Sequence, residues 1–76
     1  MIRLRVKEVA EQKDMSQARL SRRADVDIKT LRKIYREPEK ANVTLDTLNR
    51  LAYALKVTPS DLIEYEADVF LPGMEE

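Results

Sequence analysis

The amino-acid sequence predicts a small all-α domain of five short helices, and three observations carry that prediction. Apolar residues recur at helical spacing through most of the chain, so that about 100° of arc per residue gathers them on one side of each segment. Ser16, Asp27, Thr44 and Thr58 each precede such a segment, where a side-chain oxygen can accept from the free amides of the first turn. At 76 residues the chain makes one domain, able to bury only about 60 to 65% of its unfolded surface, which leaves no room for a deep cleft.

Residues 2 to 6, IRLRV, alternate apolar and basic and fit either a short strand or the start of the first helix. From about Arg5 to Lys13, Val6, Val9 and Ala10 follow helical spacing, with Lys7, Glu8, Glu11 and Gln12 toward water. Asp14 breaks the pattern, and Met15 can pack beneath the next helix as a staple. Ser16 to Arg36, SQARLSRRADVDIKTLRKIYR, reads as two short helices joined by a tight turn. Leu20 and Ala24 share a face of the first, and Leu31, Ile34 and Tyr35 form the buried stripe of the second. The opposite side of that second helix carries Lys29, Arg32, Lys33 and Arg36. The loop EPEKANV follows, because Pro38 lacks the amide hydrogen a helix needs. After Thr44, the residues Leu45, Leu48, Leu51, Ala52 and Leu55 make a broad core face. Thr58 caps the last helix, Pro59 takes its first position, Asp61 opposes its dipole, and Leu62 and Ile63 close the core.

The two ends admit two readings. In one, residues 2 to 5 and 63 to 66 pair as a short two-stranded β ribbon, within a chain or across a dimer, with Arg3 and Arg5 opposite Glu64 and Glu66. In the other, the first helix starts at Ile2 and the tail is coil.

The chain has no Cys and no His, which removes thiol nucleophiles, disulfides, imidazole bases and the usual zinc ligands together. Neither a cofactor nor a metal site is expected. Ser16, Ser21 and Ser60 have no imidazole to activate them, and Glu37 and Glu39 flank Pro38 on an exposed loop, so no enzymatic function is expected. With one Gly in the chain there is no glycine-rich phosphate loop. No apolar run approaches a membrane span or a secretory leader, which predicts a cytoplasmic protein without membrane contact. Although the formal net charge is zero, all 14 basic residues lie in residues 1–56 with only eight acids, and the remaining six acids lie in 57–76. A basic domain, residues 1–66, is therefore followed by an acidic tail, residues 67–76, expected to fray beyond about residue 70 unless a partner holds it. Between Arg19 and Lys40, eight bases face four acids, a local field suited to a polyanion. The competing reading is that these charges only keep a small domain soluble.

Apolar residues at 20, 24, 26, 31 and 34, small ones at 18 and 21, and a turn at 24 to 27 together resemble the helix-turn-helix of the phage repressor and Cro-type, or xenobiotic-response-element-like, regulators. The likeness covers most of residues 4 to 64, with the motif at 16–36, and implies a five-helix lambda-repressor-like DNA-binding domain. Ser21 fills the place usually held by Ala, and Asp25 stands where the family usually has a Gly at positive φ. The resemblance implies a transcriptional regulator that binds double-stranded DNA as a homodimer, with the second motif helix, residues 28–36, in the major groove. Matched by position, Gln17, Ile28, Lys29, Arg32 and Lys33 would contact bases, and Arg19, Arg36, Lys40 and Asn42 would contact phosphates. The alternative is a protein-interaction module, such as an antitoxin or accessory subunit, that holds a protein partner through the acidic tail.

Overall fold

Four α-helices form where spacing and caps place them in the computed structural model, which describes residues 1–66. They are α1 (Val6–Gln12), α2 (Gln17–Ala24), α3 (Ile28–Arg36) and α4 (Leu45–Leu55). Three of the expected caps hold their helices directly. Ser16 Oγ accepts from the amide of Arg19 at 3.2 Å, Asp27 Oδ1 from that of Lys29 at 2.9 Å, and Thr44 Oγ1 from that of Thr47 at 3.0 Å. Each bond satisfies a first-turn donor that the helix itself cannot.

The domain is mostly helical rather than all-α. The segment expected to be a fifth helix is a single 3₁₀ turn, Pro59–Leu62, followed at once by a strand. Asp61 Oδ2 accepts from the Thr58 amide at 3.1 Å, and the Leu62 carbonyl accepts from the amide of Arg5 at 2.8 Å. That second bond commits the chain to extended backbone at Ile63, leaving too few residues for an α-helix. Strand β1 (Ile2–Leu4) and strand β2 (Ile63–Tyr65) form an antiparallel two-stranded sheet within one chain, with Ile2 opposite Tyr65, Arg3 opposite Glu64 and Leu4 opposite Ile63. The ribbon reading of the termini therefore holds. The expected Arg5 and Glu66 pair does not form. Arg5 Nη1 donates to the carbonyl of Asp61 at 3.4 Å, and the amide of Glu66 donates to the carbonyl of Met1 at 2.8 Å.

The core joins all elements, with Val6, Leu20, Leu31, Leu51 and Leu62 fully buried and Met15 packed against them. Burying a Leu side chain stabilises by roughly 1.5 to 3 kcal/mol, so Leu31→Ala alone would remove a large share of a small domain's stability. Leu45, expected in the core, is 84% exposed, while the unforeseen Ala54 is buried. At about 100° per residue Leu45 lies roughly 90° from the centre of the face formed by Leu48, Leu51, Ala52, Ala54 and Leu55. It also occupies the first position of α4.

Three helices end in one way without glycine. Asp14, Asp25 and Lys56 adopt positive φ of 57°, 58° and 60°, and the residue after each donates its amide to a carbonyl five residues back. The bonds run from Met15 to Ala10 at 2.9 Å, Val26 to Ser21 at 3.0 Å and Val57 to Ala52 at 3.0 Å. In every case the donor is an apolar residue that packs against the core or belongs to it, which is the hydrophobic contact that accompanies this helix end. Asp25 was the one foreseen.

Candidate nucleic-acid interface

The turn between α2 and α3 is fastened from three sides. Ser21 Oγ donates to the carbonyl of Val26 at 2.5 Å, so the small residue that lets the helices approach also ties the turn to α2. Arg50 Nη1 of α4 donates to the carbonyl of Asp25 at 3.0 Å, and Arg50 Nη2 is held by Asp46 at 2.9 Å. From inside, Ala24 and Val26 are buried on either side of Asp25. These contacts fix α3 relative to α2, and through them the direction its outer face points.

That face follows from the helix period. Counting about 100° per residue from Ile28, the cations Arg32, Arg36, Lys29 and Lys33 fall at about 40°, 80°, 100° and 140°, one arc about 100° wide. All four are exposed, as is Thr30, which lies just past Lys33 on the same count. Leu31 and Ile34 are buried on the far side, and Tyr35 is half-buried there. Its hydroxyl oxygen is buried without a hydrogen-bond partner, and burial, followed by the charge of Glu11, raises its pKa.

The sequence-derived site residues separate by exposure. Lys29, Arg32, Lys33, Arg36, Arg19, Lys40 and Asn42 are exposed. Gln17 is half-buried at the start of α2, and Ile28 is half-buried against the core. Sequence reasoning passed over Arg22 and Arg23, which are exposed on α2 beside Arg19, and Arg50, whose role depends on a carbonyl twenty-five residues away. The spacing of Asp46 and Arg50 was visible as a helical ion pair, but nothing in it pointed to Asp25.

Two of the basic side chains form ion pairs with acids among the described residues. Arg3 pairs with Glu8 at 2.6 Å and Glu64 at 3.1 Å, and Arg50 pairs with Asp46. None of the other Lys and Arg side chains forms an ion pair among the described residues, and seven of them, Arg19, Arg22, Arg23, Lys29, Arg32, Lys33 and Arg36, are gathered on α2 and α3, with Arg5, Lys7, Lys13, Lys40 and Lys56 elsewhere. Unpaired cations on one motif repel one another and concentrate positive potential there, a field that attracts a polyanion. Among the described residues no group of three or more His, Cys, Asp or Glu could hold a metal ion, and no helix is long and apolar enough to cross a membrane. The acidic tail, residues 67–76, lies outside the described residues.

A family model described as Cro/C1-type HTH DNA-binding domain matches residues 5–68 of the chain. No curated protein matches it.

Proposed function

The chain belongs to the Cro/C1-type helix-turn-helix DNA-binding domain family, and on that premise we propose that it is a sequence-specific regulator of transcription that lays α3 in the major groove of double-stranded DNA. The observation that carries this reading is the single exposed arc of unpaired cations on α3, held in direction by the fastened turn. A helix of nine residues is about 13 Å long and narrow enough to enter that groove. Lys29 and Lys33 donate to guanine O6 and N7, Arg32 reads the edge of the site, and Ile28 packs on a thymine methyl at the rim of the core. Gln17, at the start of α2, reaches a base edge or a phosphate. Arg19, Arg36, Lys40 and Asn42 hold phosphates, which fix register without reading sequence. One such helix covers about half a turn of groove, so two copies act on a palindromic site with half-sites about 10 base pairs apart.

Selection of bound duplexes from a random pool tests this directly. A two-fold motif should emerge, and Lys33→Ala should relax one position at a cost of roughly 1 to 3 kcal/mol at preferred sites. Arg36→Ala should weaken all duplexes alike. A chain that retains no duplex at low salt would overturn the proposal, and equal losses on preferred and random duplexes in both variants would remove Lys33 from base readout.

A further inference from the structure

Arg19 and Arg23 are one turn apart on α2, about 6 Å along its axis. Each lies two residues from Ser21, about 160° round the helix from the side chain that ties the motif's turn, so the pair faces the C-terminal end of α4 instead of α3. Two concavities adjoin there. One, of about 350 Å³, is lined by Arg23, Tyr53, Ala54, Lys56 and Val57. The other, of about 230 Å³, shares Arg23, Ala54 and Lys56 with it and adds Lys13, Met15, Arg19 and Leu55. The left-handed end of α4 at Lys56 returns Val57 to the core, which gives the first concavity an apolar floor, and Tyr53 stands at its wall, 85% exposed. None of the four cations forms an ion pair among the described residues, and no acid lines either concavity.

We propose that the two concavities form one site for a nucleoside polyphosphate, with its base against Tyr53, Ala54 and Val57 and its phosphates among Lys13, Arg19, Arg23 and Lys56. Two features separate this ligand from a duplex. A duplex strings its phosphates along a rod, one per about 3.4 Å of each strand, whereas cations round a hollow of about 230 Å³ converge on a compact polyanion. An exposed aromatic ring beside an apolar floor also offers a stacking face, which a base uses and a backbone phosphate does not. Arg23 sits where the two concavities meet, and its planar guanidinium can hold a phosphate with two parallel hydrogen bonds. Arg19 belongs also to the phosphate contacts assigned above, so a seated triphosphate neutralises part of the field of α2 and weakens duplex binding. That consequence rests on the DNA reading, whereas the site does not.

Amide NMR of the full chain, titrated at low salt with adenosine triphosphate and separately with tripolyphosphate, locates the ligand. The largest shifts should fall at Arg23, Tyr53, Ala54, Lys56 and Val57. Tripolyphosphate, which cannot stack, should bind about 10-fold more weakly, and Tyr53→Ala should remove that difference. Arg23→Ala should weaken adenosine triphosphate about 10-fold, while Lys29→Ala with Lys33→Ala leaves its affinity unchanged, thermal melting verifying that each variant is folded. Largest shifts on α3, equal affinity of the parent for the two anions, or shifts that never saturate would overturn the site. For the consequence, saturating adenosine triphosphate should lower duplex affinity several-fold in the parent and much less in Arg23→Ala, and equal losses in both would overturn it. If no variant binds duplex, the DNA reading fails and the titration still decides the site.

Discussion

Two regions of this molecule, the terminal ribbon and the α2–α3 motif, carry arginines and use them in different ways. At the ribbon, Arg3 lies between Glu8 and Glu64, so its charge is spent on joining the strand pair to α1. On α2 and α3, seven cations form no ion pair among the described residues. Both stretches read as basic in the sequence, and the difference appears only when the fold decides which acids come near. A surface that needed charge for solubility alone would tolerate either arrangement. A surface that needs its cations for a ligand cannot lose them to its own carboxylates, so an ion pair marks Arg3 as scaffold, whereas lacking one, as Arg5 also does, marks a binding cation only where many such cations gather on one exposed face.

The comparison breaks most readily by reversing charge in each region. Lys29→Glu with Lys33→Glu should lower duplex affinity at least about 100-fold, since two contacts of roughly 1 to 3 kcal/mol are replaced by repulsion. The same double variant should melt no lower than the parent, because it relieves cation crowding on α3. A fall in melting temperature would show that these lysines support the fold instead.

Backbone strain supplies a control that is indifferent to charge. Asp14→Gly, Asp25→Gly and Lys56→Gly each replace a left-handed residue that costs roughly 1 kcal/mol relative to glycine, a rise in melting temperature of about 4 to 8 °C for a domain this small. Thermal melts of the three singles should agree regardless of region. If Asp25→Gly alone fails to stabilise, its side chain has a role that the backbone geometry does not include.

How far the sequence could be read is clearest from these same positions. The caps at Ser16, Asp27 and Thr44 were legible because each is a local bond between residues two or three apart. The alternation in IRLRV and the charges on Arg3 and Glu64 were enough to suggest the ribbon, and the register bore out that pair. Arg5 and Glu66 failed because the ladder ends where Leu62 turns into the 3₁₀ segment, a tertiary choice made by the Arg5 amide. Leu45 failed through its angle, as a residue at the margin of an apolar arc is buried only if another element covers it, and none does. The left-handed ends at Asp14 and Lys56 were missed because glycine was the signal sought. A polar residue directly before an apolar one at a helix end, as in Asp14-Met15, Asp25-Val26 and Lys56-Val57, would have found all three. On α3 the cationic arc was legible from the helix period alone, whereas its lack of acid partners was not, since that depends on where every other element goes.

In the scaffold region the expected effects are smaller. Arg3→Ala should lower the melting temperature by a few degrees and leave duplex affinity nearly unchanged. Exchanging the charges, Arg3→Glu with Glu64→Arg, should recover part of what either single change loses, and strict additivity in that cycle would exclude direct coupling. Smallest of all is a pH effect. Partial burial pushes the Glu8 carboxyl up, but the hydrogen bond from Arg3, the bond to its own amide and the charges of Arg3 and Arg5 outweigh it and hold the pKa below the ordinary value. A lowered folded pKa contributes stability that is present above the unfolded value of about 4.3 and is lost as pH falls through the folded one. Melts across the acid range should therefore fall less steeply in Glu8→Gln than in the parent, and identical profiles would mean that the pair is too exposed to matter.

The central claim, that the unpaired cations gathered on α2 and α3 bind duplex and the paired Arg3 does not, is tested most directly by the salt dependence of duplex binding in the parent, Arg36→Ala and Arg3→Ala. If roughly four to six phosphates are neutralised per monomer, log K should fall against log salt with a slope of about −4 to −5. Arg36→Ala should flatten that slope by about 0.9 and Arg3→Ala should leave it unchanged. Equal flattening by both variants, or a parent slope near zero, would contradict the account.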